Sequence, residues 1–169
     1  MARVALILGG ARSGKSARAL ALTRPPRVFL ATAQALDEEM AARIAAHRAE
    51  RGPDWTVVEE PLELTRALAA HAAEGRCVLV DCLTLWLSNL MAAGRDPEAE
   101  AAALAAALPA LPGEIVFVSN EVGMGLAPMN ALGRAFRDAQ GRLNQTIAAV
   151  ADRVEFVAAG LPLTLKDRP

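Results

Sequence analysis

The chain has 169 residues, a length typical of one domain that can build its own hydrophobic core. Hydrophobic residues make up 53% of the sequence and charged residues 22%, and this balance excludes a disordered chain. The formal net charge is −1 at pH 7, so bulk charge gives no attraction to nucleic acid or to an anionic membrane. We therefore expect a single domain over residues 1–169, without a nucleic-acid partner.

No feature of the sequence predicts secretion or a membrane span. The N-terminal apolar run Val4–Leu8 is too short for the hydrophobic region of a signal peptide, and no segment offers about 18 consecutive apolar residues. Cys77 and Cys82 lie in an apolar stretch without metal-ligand spacing, so a disulfide framework is not expected. These features favour the reducing cytoplasm as the location of the protein.

Short apolar runs rich in Val and Ile alternate with longer helical patterns along the chain. In the first half, the predicted elements are a strand at Arg3–Leu8, a helix at Lys15–Leu22, a strand at Arg27–Ala31, a helix at Asp37–Glu50, a short strand at Trp55–Val58 and a helix at Leu62–Ala73. In the second half, they are a strand at Cys77–Asp81, helices at Leu83–Ala93 and Pro97–Leu108, a strand at Ile115–Ser119, a helix at Ala131–Ala151, and strands at Val154–Val157 and Leu161–Leu165.

This alternation predicts an α/β fold. Nearly continuous apolar strands are typical of a sheet that is covered by helices on both faces, and strand–helix alternation favours parallel pairing. The last two strands are joined only by Ala158–Gly160, which is short enough for a hairpin. We therefore expect a mostly parallel central sheet with an antiparallel C-terminal strand.

The segment after the first strand carries the strongest chemical signal. Its sequence Gly-Gly-Ala-Arg-Ser-Gly-Lys-Ser, from Gly9 to Ser16, fits the pattern G-x-x-x-x-G-K-[ST] between a predicted strand and a predicted helix. In such a P-loop, backbone N–H groups and the helix N-terminus surround phosphate groups, and Lys15 reaches the β- and γ-phosphates. The sequence therefore predicts a P-loop NTPase-like fold that binds a nucleoside triphosphate.

A bound triphosphate implies Mg²⁺ as a cofactor. The Ser16 hydroxyl is one expected ligand, because this position of the motif contacts the metal. Asp81 ends a predicted strand, and parallel sheets bind ligands at the carboxyl ends of their strands. Asp81 is thus a candidate for binding the metal or positioning a water molecule, although an acidic residue here is also suited to capping the following helix.

Beyond the P-loop, several runs in fixed order resemble one family. They are Ala31-Thr-Ala33, Asp37–Ile44 followed by His47, Ser119-Asn-Glu-Val-Gly-Met-Gly125 with Pro128 and Asn130, Arg134, Phe136-Arg-Asp138 and Gly141–Gln145. Together with the P-loop, they resemble the bifunctional adenosylcobinamide kinase / adenosylcobinamide-phosphate guanylyltransferase family of cobalamin biosynthesis. The resemblance extends from Val4 to about Leu165.

The resemblance implies two reactions and a set of site residues. Adenosylcobinamide is phosphorylated by a nucleoside triphosphate, ATP or GTP, and GMP from GTP is then attached to the phosphate through a guanylyl-histidine. The histidine that matches is His47. His47 and the P-loop residue Lys15 are the expected catalytic residues. The resemblance further implies a homotrimer. The expected nucleotide contacts are Gly9, Gly10, Ala11, Arg12, Ser13, Gly14, Lys15, Ser16, Ala31, Thr32, Ala33, Arg48, Ala49, Glu50, Arg51, Glu59 and Asp81.

The residues themselves leave the role of His47 open. A neutral imidazole is a good nucleophile near pH 7, and covalent catalysis divides one difficult displacement into two easier ones. However, His47 shares a helical stripe with Met40 and Ile44, and without the resemblance this pattern favours a partly buried structural histidine over a nucleophile. The alternatives to the bifunctional enzyme are a simple P-loop small-molecule kinase and a non-enzymatic nucleotide switch. The sequence contains no guanine-reading N-K-x-D motif, which argues against the switch.

Overall fold

The computed structural model describes residues 3–34, 42 and 54–168. Its strands are β1 (Arg3–Gly9), β2 (Arg27–Ala31), β3 (Trp55–Glu59), β4 (Cys77–Asp81), β5 (Glu114–Asn120), β6 (Arg153–Ala158) and β7 (Leu161–Asp167). Its helices are α1 (Lys15–Ala21), α2 (Leu64–His71), α3 (Leu83–Ala92), α4 (Pro97–Ala107) and α5 (Ala131–Val150), with a 3₁₀ turn at Leu108–Ala110. The helix predicted at Asp37–Glu50 lies outside the described residues, except for Ala42.

The strands form one seven-stranded sheet in the order β3-β2-β4-β5-β1-β6-β7. Every neighbouring pair is parallel except β6 and β7, which pair antiparallel through the short turn after Ala158. The predicted fold class is therefore confirmed. In this order β1 lies inside the sheet, and one strand, β5, separates it from β4.

Alternation along the strands divides the core between the two faces of the sheet. On one face, Leu6 and Phe117 belong to a large buried cluster that includes residues of α2, α3, α4 and α5. On the other face, Ile7 and Val118 belong to a smaller buried cluster that includes Ala19 of α1. Because successive side chains of a strand point to opposite faces, the continuous apolar runs of the sequence supply both clusters.

The helix α2 begins two residues later than the sequence predicts. The side chain of Glu60 explains the later start of the helix, because its Oε1 accepts hydrogen bonds from the backbone N–H groups of Leu62 and Glu63, at 3.0 and 2.8 Å. These bonds hold the preceding residues in a turn, and the carbonyl of Leu62 there accepts a 2.8 Å bond from Nε1 of Trp86.

Across residues 3–34, 42 and 54–168, no helix has the length and hydropathy required to cross a membrane.

Candidate nucleotide-binding site

The P-loop connects β1 to α1 at the carboxyl edge of the sheet. Gly14 has φ +94° and Arg12 has φ +56°, so both residues adopt left-handed backbone conformations only two positions apart in the loop. A Cβ on Gly9 would lie 2.6 Å from the carbonyl oxygen of Val157, which only glycine avoids. The sequence therefore places glycine where the loop turns and where it approaches the neighbouring strand β6.

Neighbouring segments hold the loop from both sides. The backbone N–H of Glu121, just after β5, donates to the carbonyl of Gly9 at 3.0 Å. The backbone N–H of Gly160, in the turn between β6 and β7, donates to the carbonyl of Ser13 at 2.7 Å. The loop conformation is thus supported by main-chain contacts from segments that lie more than 100 positions later in the sequence.

Lys15 and Ser16, the side chains of the motif that are expected to contact phosphate and metal, lie in the first turn of α1. The Nζ atom of Lys15 donates to the carbonyl of Gly10 at 3.0 Å, so its ammonium group lies against the loop. Ser16 is exposed in the same turn. Both residues are thereby at the positive end of the helix dipole, as anion binding requires.

One buried ion pair fixes the helix that carries Lys15. Glu155 of β6 is fully buried, and its carboxylate accepts two bonds from Arg18 of α1, at 2.7 and 2.8 Å. Arg153 donates a further bond to the same carboxylate at 2.8 Å. The hydrogen bond from Arg18 is the main reason that the pKa of Glu155 is lowered from its ordinary value, with Arg153 adding to the effect.

Asp81 lies at the carboxyl end of β4, two strands away from the loop strand β1. Thr32 fixes the backbone at this strand end. Its hydroxyl donates to the carbonyl of Cys82 at 2.7 Å and accepts from the N–H of Cys82 at 2.9 Å, while its own N–H donates to the carbonyl of Asp81 at 3.2 Å. The buried side chain of Thr32 therefore positions the segment that contains Asp81.

The other predicted site residues lie along the same edge. Ala31, at the end of β2, pairs with Glu59 of β3 on one side and with Asp81 of β4 on the other. Ala33 follows directly, and Glu59 is exposed. The structure thus brings the described candidates together at one edge, whereas His47 and Arg48, Ala49, Glu50 and Arg51 lie outside the described residues.

A buried polar cluster at the end of β5 has no counterpart in the sequence prediction. Ser119 donates to Oδ1 of Asn144 at 2.6 Å, and Gln140 donates to the same Oδ1 and to the Ser119 hydroxyl, both at 3.0 Å. Asn144 also donates to the carbonyl of Asn120 at 3.1 Å. In the sequence, Ser119 and Asn144 stand in two of the runs that resemble the family, and polar residues interrupt the apolar stripe of α5.

The thiols of Cys77 and Cys82 are both buried. Burial is the main cause that raises the pKa of Cys77 to about 11, and burial also raises the pKa of Cys82, with the nearby Asp81 charge adding to it. A thiol with a raised pKa is a poor nucleophile near pH 7. Neither cysteine is therefore a candidate for covalent catalysis.

The donor set at this edge fits Mg²⁺. Ser16 and Asp81 offer hard oxygen ligands, and the two strand spacings between β1 and β4 give roughly 10 Å for an ion with water and phosphate ligands. Among the described parts of the chain, no group of three or more His, Cys, Asp or Glu side chains forms a metal cage. Mg²⁺ commonly binds through few protein ligands together with substrate phosphates and water.

A glycine-rich loop between a parallel strand and a helix, opposite an acidic strand end, defines the class of P-loop nucleotide-binding proteins. Two solved structures share the fold. The P4 protein of bacteriophage phi6, solved in complex with ADP, matches with a TM-score of 0.52 and 18% identity over 94% of this chain and 52% of its own. A protein of Pyrococcus horikoshii OT3 matches with a TM-score of 0.58 and 7% identity over 98% of this chain and 86% of its own.

The sequence defines the family within that class. Residues 5–165 match the family model described as cobinamide kinase / cobinamide phosphate guanyltransferase. The bifunctional adenosylcobalamin biosynthesis protein CobP of Pseudomonas aeruginosa is 50% identical over 97% of this chain and 98% of its own length. The protein CobU of Salmonella typhimurium is 40% identical over 95% and 98%, respectively.

The chain therefore belongs to the cobinamide kinase / cobinamide phosphate guanyltransferase family. The predicted class of enzyme, a bifunctional transferase of cobalamin biosynthesis, is confirmed.

Proposed function

We propose that this chain performs both reactions at the carboxyl edge of its sheet, using the P-loop for the nucleotide. It phosphorylates adenosylcobinamide with a nucleoside triphosphate and then transfers GMP from GTP to the new phosphate, giving adenosylcobinamide-GDP and pyrophosphate. The observation that supports this proposal best is the placement of Lys15, Ser16 and Asp81 at one edge, in a chain that matches the family over nearly its full length.

In the first step, a hydroxyl oxygen of adenosylcobinamide attacks the γ-phosphorus. The new O–P bond forms as the bond to the β-phosphate oxygen breaks, and the hydroxyl proton passes to solvent or a base. The developing charge lies on phosphate oxygens, which the ammonium group of Lys15 and the N–H groups of the loop stabilise. Ser16 and Asp81 would hold Mg²⁺, which would supply positive charge beside the phosphates of the nucleotide.

In the second step, the imidazole of His47 attacks the α-phosphorus of GTP. A P–N bond forms, the bond between the α-phosphorus and the bridging oxygen breaks, and pyrophosphate leaves. A phosphate oxygen of adenosylcobinamide phosphate then attacks the same phosphorus and releases His47. We assign nucleotide contacts to Ala31–Ala33 and Glu59 at the edge of the sheet and to Arg48–Arg51 beside His47.

An oligomer is the second part of the proposal. The edge strand β7 exposes Leu161, Leu163 and Leu165, with 73%, 61% and 58% of their surfaces accessible. An apolar edge strand is a surface that a soluble chain normally covers. This observation supports self-association, and the family resemblance implies that the oligomer is a trimer. The cytoplasmic location of the protein stays a prediction.

The experiment is to incubate the chain with GTP and Mg²⁺ and to read its mass. We expect a protein that carries GMP through a bond that is stable in alkali and broken by acid, as a P–N bond is. His47→Ala should lose this adduct and the guanylyl transfer while keeping kinase activity, because phosphoryl transfer depends on Lys15 and the metal.

The matched control is His71→Ala. His71 is the other histidine of the chain and lies at the C-terminal end of α2, so both activities should persist in this variant. An adduct that survives in His47→Ala would show that another residue is the nucleophile. An unmutated protein that turns over its corrinoid substrate to the phosphate without any adduct would favour the simple small-molecule kinase.

A further inference from the structure

Asn120 lies on the strand between the P-loop strand β1 and the strand β4 that ends at Asp81. It is the last residue of β5, the strand that separates the P-loop strand β1 from β4. In the sheet register, Asn120 pairs with Gly9 of the P-loop, and Val118, two residues earlier, pairs with Asp81. One strand spacing of about 5 Å therefore separates Asn120 from the loop on one side and from β4 on the other.

Strand alternation places the Asn120 side chain on the face that α1 covers. Val116 and Val118 belong to the buried cluster that includes Ala19 of α1, and Asn120 is the next residue with the same parity. Ser119 lies on the opposite face, as its hydrogen bonds to Gln140 and Asn144 of α5 show. The carboxamide of Asn120 is thus on the same face of the sheet as the helix that begins with Lys15.

The backbone around Asn120 is fixed on three sides. Its N–H donates to Oγ1 of Thr84 at 2.9 Å, and its carbonyl accepts from Nδ2 of Asn144 at 3.1 Å. The next N–H, that of Glu121, donates to Gly9 at 3.0 Å. The carboxamide itself makes no hydrogen bond to another residue of the described ranges and is only partly buried.

We propose that the carboxamide N–H of Asn120 donates a hydrogen bond to the terminal phosphate of a nucleoside triphosphate bound in the P-loop. A neutral donor on a fixed backbone, one strand from the loop, can stabilise charge on the transferred phosphoryl group without reorganisation. Thr84 and Asn144 hold Asn120 in place and act as positioning residues. This inference rests on the proposed triphosphate binding and adds a residue that recognises the γ-phosphate.

The test compares triphosphate and diphosphate binding. Dissociation constants for the β,γ-imido analogue of ATP and for ADP are measured calorimetrically, with Mg²⁺, in the unmutated chain and in Asn120→Ala. Because hydrogen bonds to charged groups are worth more than neutral ones, we expect the affinity for the triphosphate analogue to fall about tenfold or more. The affinity for ADP should stay within about twofold, since ADP has no γ-phosphate.

Two further variants make the result specific. Asn120→Asp has nearly the same shape and replaces the donor with a negative charge, so it should weaken triphosphate binding at least as much as alanine does. Gln145→Ala removes an exposed carboxamide from α5 and should change neither affinity.

An equal loss for both nucleotides in Asn120→Ala and Asn120→Asp, or no loss for either, would overturn the proposal. An unmutated chain that binds no triphosphate would instead contradict the proposed function itself.

Discussion

Removing the guanidinium of Arg18 should destabilise the protein strongly, because it leaves a buried carboxylate with half of its partners. Glu155 is fully buried, and Arg18 supplies a two-bond fork to it, while Nε and Nη2 of Arg153 both contact its Oε1, at 2.8 and 2.6 Å. Breaking a buried ion pair from one side commonly costs about 3–5 kcal/mol. Since Arg153 still compensates part of the charge, we expect Arg18→Ala to lower the free energy of unfolding by about 2–4 kcal/mol.

Urea unfolding measures this loss directly. With a denaturant slope of about 2 kcal/mol per molar, the expected cost moves the urea midpoint down by roughly 1–2 M. In a Glu155→Gln background the same Arg18→Ala change should cost less than about 1 kcal/mol, because no buried charge is left unpaired.

A surface ion pair of similar length provides the control. Nε of Arg142 lies 2.7 Å from Oε1 of Glu98, but these side chains are 55% and 67% exposed. Arg142→Ala should therefore cost under about 1 kcal/mol. If Arg18→Ala costs no more than Arg142→Ala, or costs the same with and without the Glu155 carboxylate, the reasoning about the buried pair is wrong.

Three other outcomes follow from the site and its support. Lys15→Arg should abolish kinase turnover, because a planar fork does not replace a compact ammonium group in a tight loop, and near-normal turnover would contradict the role of Lys15. Asp81→Asn should weaken the Mg²⁺ dependence of both reactions at unchanged stability, whereas unchanged rates and an unchanged Mg²⁺ titration would contradict a role of Asp81 in ordering the metal. Because the pKa of Glu155 is lowered on folding, its contribution to stability is complete above the unfolded pKa of about 4.3 and is lost as pH falls through the folded value. Unfolding measured below pH 5 should therefore show a shallower acid dependence for Glu155→Gln than for the unmutated chain.

Local patterns in the sequence were sufficient for the elements and for the P-loop. The strand Cys77–Asp81 was predicted at its observed bounds, because a compact apolar run that ends in an acidic residue has few other interpretations. The hairpin around Gly160 followed from loop length alone. Gly9 and Gly14 were predicted from a motif whose backbone requirements are the ones that the structure shows.

The support of the site was not predictable, because it depends on pairs of residues far apart in the chain. Arg18 and Glu155 are separated by 137 positions, and Thr32 and Cys82 by 50. No local period connects such residues, and only the strand order brings them together. The phosphate contact proposed for Asn120 was not predictable for the same reason, since its neighbours in the sequence do not reveal that β5 lies between β1 and β4.

In the proposed function, one small chain both phosphorylates a corrinoid and guanylylates the product. Both reactions can be followed together by the mass of the products after incubation with adenosylcobinamide, GTP and Mg²⁺. We expect adenosylcobinamide phosphate at early times, followed by adenosylcobinamide-GDP with stoichiometric release of pyrophosphate. If the phosphate alone accumulates, with GTP in excess and no pyrophosphate released, the chain is not a guanylyltransferase.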